Sequence, residues 1–192
     1  RIFNCYGPRM LRDDGRVIIN FIVDSINKNS ISIFGDGSQT RSFCFIDDLI
    51  VGLKLLMKSN YNLPVNLGSN NEISINKLSE LIKKNFNQNI KNIKLPFRED
   101  DPKRRNPDIK LAKKLLDWNP KISLDEGLEL TIKYVKKFGF DRYNHGIELD
   151  HIFTGTYGPV KKRFKELNFN KMSNFNWSLV INSIYYKTIN FF

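Results

Sequence analysis

Apolar residues recur along the chain in two periods, and their succession sets the expected order of elements. Arg1 to Cys5 reads as the end of a strand, stopped by the turn signal Tyr6-Gly7-Pro8. Between Val17 and Lys28 the apolar positions 18, 19, 21, 22, 23 and 26 predict a helix with a broad buried face. Ile31 to Phe34 predicts a short strand closed by Gly35-Asp36-Gly37, and Ser42 to Ile46 predicts another. Asp47 or Asp48 is placed to cap the next helix, where Leu49, Ile50, Leu53, Leu56 and Met57 keep helical spacing. Pro64 to Leu67 reads as a strand ended by Gly68. Ser74 then caps a helix running through Phe86, with Ile75, Leu78, Leu81 and Ile82 as its core face.

An irregular stretch, Leu95 to Pro107, separates that helix from a short one. The short helix is capped by Asp108, carries Ile109, Ala112, Leu115 and Leu116, and ends at Trp118-Asn119-Pro120. Ser123-x-x-Glu126 is a capping box opening a helix towards Phe138. The class is α/β with short strands and no internal repeat. From Gly139 the periodicity fades, and only Val160 to Leu167 still suggests an element. The expected organisation is therefore a lobe over 1–138 and a tail over 139–192.

Composition narrows the function classes. The 192 residues carry 31 Lys plus Arg against 20 Asp plus Glu, a net +11, with 41% apolar and 27% charged residues. That balance excludes a disordered or collagen-like chain. Nucleic-acid binding wants a basic face with interleaved aromatics or a recognisable reading helix, and neither is visible, so no nucleic-acid partner is expected. A small anion suits the concentrated arginines better, notably Lys103-Arg104-Arg105 following Glu99-Asp100-Asp101. Cys5 and Cys44 have neither disulfide nor zinc spacing and fit a reducing, cytoplasmic setting. His145 and His151 lack a third ligand, so no metal is expected. No run approaches the roughly 20 apolar residues of a membrane span, the best stretch, 177–192, being broken by Asn182, Lys187 and Asn190. Arg1 begins in mid-strand context, which reads as a piece of a longer chain.

Three features carry candidate chemistry. The loop Gly35-Asp36-Gly37-Ser38-Gln39-Thr40-Arg41 either cradles an anion with its terminal arginine or is a plain hairpin with a surface arginine. Asp100 and Asp101, adjacent on an extended segment, point to opposite sides and read as solvated rather than as an acid/base pair. Asn4 is a polar side chain at the end of a buried strand, where open α/β sheets bind ligands.

Longer motifs go further. Arg1-Ile2-Phe3-Asn4-Cys5-Tyr6-Gly7-Pro8-Arg9-Met10, Asp14-Gly15-Arg16-Val17, Ile33-Phe34-Gly35-Asp36-Gly37-Ser38-Gln39-Thr40-Arg41-Ser42-Phe43 and Pro64-Val65-Asn66-Leu67-Gly68 stand in order. Asp100-Asp101-Pro102 with Arg105, Pro107-Asp108-Ile109, Leu116-x-Trp118-x-Pro120 and Leu124-x-Glu126-Gly127-Leu128 follow. Over residues 1–138 this set resembles the UDP-glucuronate decarboxylases (UDP-xylose synthases), which are extended short-chain dehydrogenases/reductases. The resemblance implies the last sheet strands of a Rossmann fold plus the small substrate lobe, with the dinucleotide loop and the Tyr-x-x-x-Lys pair lying upstream. It implies NAD as cofactor, a UDP-sugar as substrate and a homodimer in the full-length enzyme. Asn4 matches the substrate-facing asparagine, Arg41 and Arg105 the diphosphate arginines, Phe34 and Gln39 the nucleotide pocket, and Cys5 and Arg16 the NAD side. No catalytic residue is expected within the chain. Cys5 replaces the usual threonine and Leu11 a commonly polar residue. The implied reaction is oxidation at C4 by NAD, loss of CO₂ and re-reduction to UDP-xylose; a nucleotide-sugar 4-epimerase, a 4,6-dehydratase and a non-catalytic nucleotide-sugar-binding lobe are the alternatives.

Overall fold

Parallel pairing at the chain's start organises the first layer of the fold. The structure is a computed structural model and describes residues 1–86 and 89–140, which belong to one compact unit, Arg1–Arg142. Strand β1 (Cys5–Tyr6) pairs in parallel with β4 (Cys44–Phe45), Cys5 opposite Cys44. On its other flank, residues 1–3 lie along 65–67. The Arg1 amino group donates to the Val65 carbonyl at 2.7 Å, Leu67 N–H to Arg1 O at 2.8 Å and Phe3 N–H to Leu67 O at 3.2 Å. The expected strands at 1–5 and 64–67 are thus adjacent, although the second survives only as an isolated bridge between Ile2 and Leu67.

Helix α1 (Val17–Lys28) buries Ile18, Ile19, Phe21 and Ile22 of its expected face, while Val23 is half-buried and Ile26 exposed. Asn29 ends it in the left-handed region at φ 49°, a conformation asparagine tolerates better than most residues. Strand β2 (Ser30–Phe34) buries Ile31 and Ile33 and pairs in parallel with β6 (Lys91–Leu95), a strand its Lys-Asn-Ile-Lys-Leu sequence did not announce. The single strand expected over 42–46 is two: β3 (Thr40–Ser42) and β4 turn into different sheets. β3 is the middle of a three-stranded sheet, antiparallel to β5 (Glu72–Ser74) and parallel to β7 (Arg104–Arg105). The stretch 95–107, expected to be irregular, supplies that third strand.

Helix α2 (Ile46–Lys58) corrects the expected cap. Its N-cap is Phe45, with no side-chain cap, and Asp47 and Asp48 sit in the first turn. The buried Asp48 carboxylate instead reaches across the fold, accepting the Lys121 and Ile122 backbone N–H groups at 2.9 and 2.7 Å. Its carbonyl accepts the Trp118 indole N–H at 2.9 Å. Trp118 thereby locks into a core with Cys44, Leu49, Val65, Leu67, Ala112 and Leu116. Helix α3 (Ile75–Lys83) is capped by Ser74, whose hydroxyl accepts from Lys77 N–H at 3.2 Å, and ends one turn before Phe86. Helix α4 (Lys110–Leu116) begins after Ile109, and Asp108 still accepts the Lys110 N–H at 2.9 Å. Helix α5 (Leu124–Phe138) opens on the Ser123 cap that its box motif predicts. Gly127 lets α5 approach Tyr6: an added Cβ would lie 2.1 Å from the tyrosine oxygen. The expected element over 160–167, the tail 139–192 beyond Phe140, both histidines and the stretch 177–192 lie outside the described residues. No helix among the described residues is long and apolar enough to cross a membrane.

A polar network ties the three-stranded sheet together. Glu72 accepts from Arg104 Nε with both carboxylate oxygens at 2.9 Å, from Asn106 at 3.1 Å and from the Thr40 hydroxyl. Arg104 first, then Thr40, hold the Glu72 carboxyl down to about 2. Because that is below its ordinary 4.5, the stabilisation is complete above about pH 4.5 and disappears as pH falls through about 2. Glu72→Gln should flatten this part of the pH–stability curve measured by chemical denaturation; an unchanged slope would contradict the network. Separately, Asp48→Ala should cost about 1.5–3 kcal/mol of unfolding free energy in urea titration, because two backbone N–H groups lose a charged acceptor. A loss below about 0.5 kcal/mol, the level of an ordinary surface substitution, would contradict the clasp.

Candidate functional site

The loop between β2 and β3 is shaped before any ligand is considered. Gly37 takes φ 77°, and a Cβ there would lie 2.2 Å from the Asn76 side-chain oxygen, so the tight turn and the close approach both require glycine. Asn76 and Ile75 N–H groups donate to the Gly37 and Gln39 carbonyls at 3.0 Å, and Asn76 Nδ2 donates to Asp36 O at 2.9 Å. The start of α3 therefore hangs on this loop, with its end N–H groups satisfied. Within the loop, Asp36 accepts from the Ser38 N–H at 2.9 Å and hydroxyl at 2.7 Å, which pulls its carboxyl below the usual range.

Arg41 follows on β3 and is 6% exposed. Of the two readings open for this loop, the hairpin with a surface arginine is excluded by that burial. Arg41 donates through one terminal nitrogen to Thr40 O at 2.7 Å and through the other to Asp101 in an ion pair. This corrects the expectation of a solvated Asp100–Asp101 pair for Asp101, while Asp100 is exposed as expected. The Asp101 N–H closes a turn onto Arg98 O at 3.1 Å, so the segment is not extended there. Arg105 is the in-register partner of Arg41 across the parallel β3–β7 ladder. In-register neighbours present their side chains on one face of a sheet, so two guanidinium groups share that face.

Other expected residues gather around the same strand. Gln39 Nε2 donates to Phe34 O at 2.8 Å, while its buried Oε1 has no partner among the described residues. Arg98 stacks over the Phe34 ring, 3.9 Å from its centroid. Asn4 adopts φ 34°, uncommon for a residue other than glycine, and its Nδ2 donates to Ser42 O at 2.9 Å. Asn4, Gln39, Arg41 and Arg105 thus meet along β3, and Phe34 joins them through Gln39.

Cys5 and Arg16 meet one another a short way along the chain. Arg16 donates to Cys5 O at 3.0 Å and is held by Asp14 at 2.7 Å through its Nε. Burial pushes the Cys5 thiol up to about 12, so it is a neutral group at neutral pH. The Arg16 guanidinium is thus partly exposed next to Cys5, the first residue of β1. Among the described residues no group of three His, Cys, Asp or Glu side chains is placed to hold a metal. A tyrosine with a lysine four residues on occurs once, Tyr157 with Lys161, outside the described residues. Sequence reasoning missed Asp101 and Arg98 as members of the site. Asp101 stood in the Asp100-Asp101-Pro102 motif and Arg98 only near it, and neither position shows that the segment folds back onto Phe34 and Arg41.

Known proteins share this arrangement of elements. UDP-glucuronic acid decarboxylase 4 of Arabidopsis thaliana is 46% identical over 133 residues, 69% of this chain and 30% of that protein. UDP-glucuronic acid decarboxylase 1 of Xenopus tropicalis is 43% identical over 162 residues, 84% of this chain and 36% of that protein. The chain thus spans about a third of the length of these curated relatives. Among solved structures, the UDP-glucose 4-epimerase of Thermotoga maritima with UDP-glucose superposes at TM-score 0.68 and 31% identity, over 71% of this chain and 45% of that one. The UDP-glucuronic acid 4-epimerase of Bacillus cereus, in complex with UDP-glucuronic acid and NAD, gives 0.64 and 31%, over 71% and 44%. These likenesses bear out the α/β Rossmann-type reading and the resemblance to UDP-glucuronate decarboxylases. The family model described as GDP-mannose 4,6 dehydratase matches residues 1–131, and the chain belongs to that family.

Proposed function

We propose that residues 1–138 are the nucleotide-sugar-binding lobe of an NAD-dependent UDP-glucuronate decarboxylase. The observation that carries the reading is the pair of in-register arginines, Arg41 and Arg105, on one face of the β3–β7 ladder, with Arg41 almost wholly buried. Such a pair suits a diphosphate, which takes charge-assisted and bidentate hydrogen bonds from guanidinium groups. Phe34 and Gln39 line the nucleotide side, and Asn4, the residue before β1, faces the sugar. Cys5 and Arg16 border NAD, which when bound supplies the oxidation and re-reduction at C4. What these residues do is hold the UDP portion, so that binding energy remote from the reacting carbon positions the sugar.

Two classes of relative compete over the outcome of the reaction. Identity of 46% to a curated decarboxylase supports decarboxylation, whereas the 31% identical solved neighbours are 4-epimerases. Both outcomes use the same diphosphate grip, so the grip is the part tested first. Arg41→Ala should weaken UDP binding by about 1.5–3 kcal/mol, the range for a hydrogen bond to a charged group. Calorimetry with UDP reads this directly, and unchanged affinity would remove Arg41 from the site. Residues 1–192 on their own should release no CO₂ from UDP-glucuronate and NAD, because proton transfer at C4 needs a tuned base that the described residues do not offer. Formation of UDP-xylose above a protein-free blank would contradict that division of labour.

A further inference from the structure

We infer that Asp101 is a positioning residue for the diphosphate grip: it aims the Arg41 guanidinium and remains paired with it when the nucleotide binds. The inference rests on the reading of Arg41 as a diphosphate ligand and adds a residue which that reading leaves unassigned. Arg41 projects from the middle strand of its sheet with its side chain 8% exposed, so its orientation is set by protein contacts rather than by water. Two contacts fix it. One terminal nitrogen is held by the Thr40 carbonyl, the other by Asp101. A guanidinium carries five N–H donors in a rigid plane, so two anchored nitrogens define that plane and leave the remaining donors for an anion.

The alternative is competition, in which Asp101 occupies Arg41 and the diphosphate must displace it. Displacement would exchange one anion for another on Arg41 and release Asp101, a third of whose side chain already meets water, but it would also free the guanidinium plane from one of its two anchors. Sharing keeps both anchors and uses donors that neither anchor occupies, at the cost of bringing two anions near one another. Asp101 is itself placed by its surroundings. The turn from Arg98 O to Asp101 N–H ends a short strap in which Phe97 lies against Gly35 and Arg98 stacks on Phe34. One segment thus braces both the Phe34 end of the site and, through Asp101, the Arg41 end.

Calorimetric titration of the chain with UDP and with uridine separates the possibilities. Asp101→Asn should weaken UDP binding by about tenfold, the scale of one charge-assisted hydrogen bond, and leave uridine binding unchanged. Asp101→Glu should restore part of the loss, and Asp101→Asn should have no further effect on UDP in an Arg41→Ala background. Tighter UDP binding by Asp101→Asn would establish competition and overturn the inference. Equal losses for UDP and uridine would place Asp101 on the nucleoside, or report a general loss of structure, and would overturn it too. So would an unchanged UDP affinity, or a loss that persists in the Arg41→Ala background. Failure of the wild-type chain to bind UDP at all would overturn the reading of the site, whereas failure of the Asp101 effects alone would leave that reading intact.

Discussion

A guanidinium buried on the central strand of a small sheet is the constraint around which the neighbouring elements are arranged. Arg41 is almost wholly removed from water, and a charge in that position is tolerated only when it is paired. The chain supplies two partners from different directions along the sequence: the Thr40 carbonyl lies on the same strand, and Asp101 arrives sixty residues later. To bring Asp101 there, the chain after β6 must turn at Arg98 and then run back as β7 beside β3. That path sets Arg105 opposite Arg41. On the other edge β5 pairs antiparallel and leads directly into α3, whose first N–H groups rest on the loop that precedes Arg41. The strand that carries the charge therefore also sets the positions of the elements around it.

Local signals in the sequence were legible where the physics is local. Ser74 and Ser123 are read as caps because the hydroxyl and the N–H it accepts are three residues apart, and both caps form. The core face of α3 and most of that of α1 follow from apolar spacing alone. Asp48 shows the limit of that approach. At the start of a helix it has the appearance of a cap, yet its partners are the N–H groups of Lys121 and Ile122, and nothing within a few residues of Asp48 signals them. β6 and β7 were illegible for the same reason. Lys91 to Leu95 lacks strand alternation because it is largely exposed, and Arg104–Arg105 is a strand only through its pairing with β3.

The site was partly legible. Motif resemblance brought out Asn4, Phe34, Gln39, Arg41 and Arg105, and the fold sets Arg105 opposite Arg41, joins Gln39 to Phe34 and ties Asn4 to the Ser42 carbonyl. Burial of Arg41 and its pairing with Asp101 were not legible, since adjacent acids on a nominally extended stretch read as solvent-facing. A single turn at Arg98 reverses that reading. The distribution of chemistry is informative in itself. Among the described residues, the part-buried Cys5 and the buried Cys44 are neutral thiols raised by desolvation rather than poised nucleophiles. In the function proposed above, the contribution of the described residues is accordingly positional: they hold the UDP end of a substrate.

The most direct test of this account is a crystal structure of the protein with UDP bound. The account predicts guanidinium nitrogens of both Arg41 and Arg105 on the pyrophosphate oxygens, at about 2.7–2.9 Å, with Asp101 still on Arg41. A pyrophosphate held elsewhere, with Arg41 contacting only Asp101 and Thr40, would contradict it.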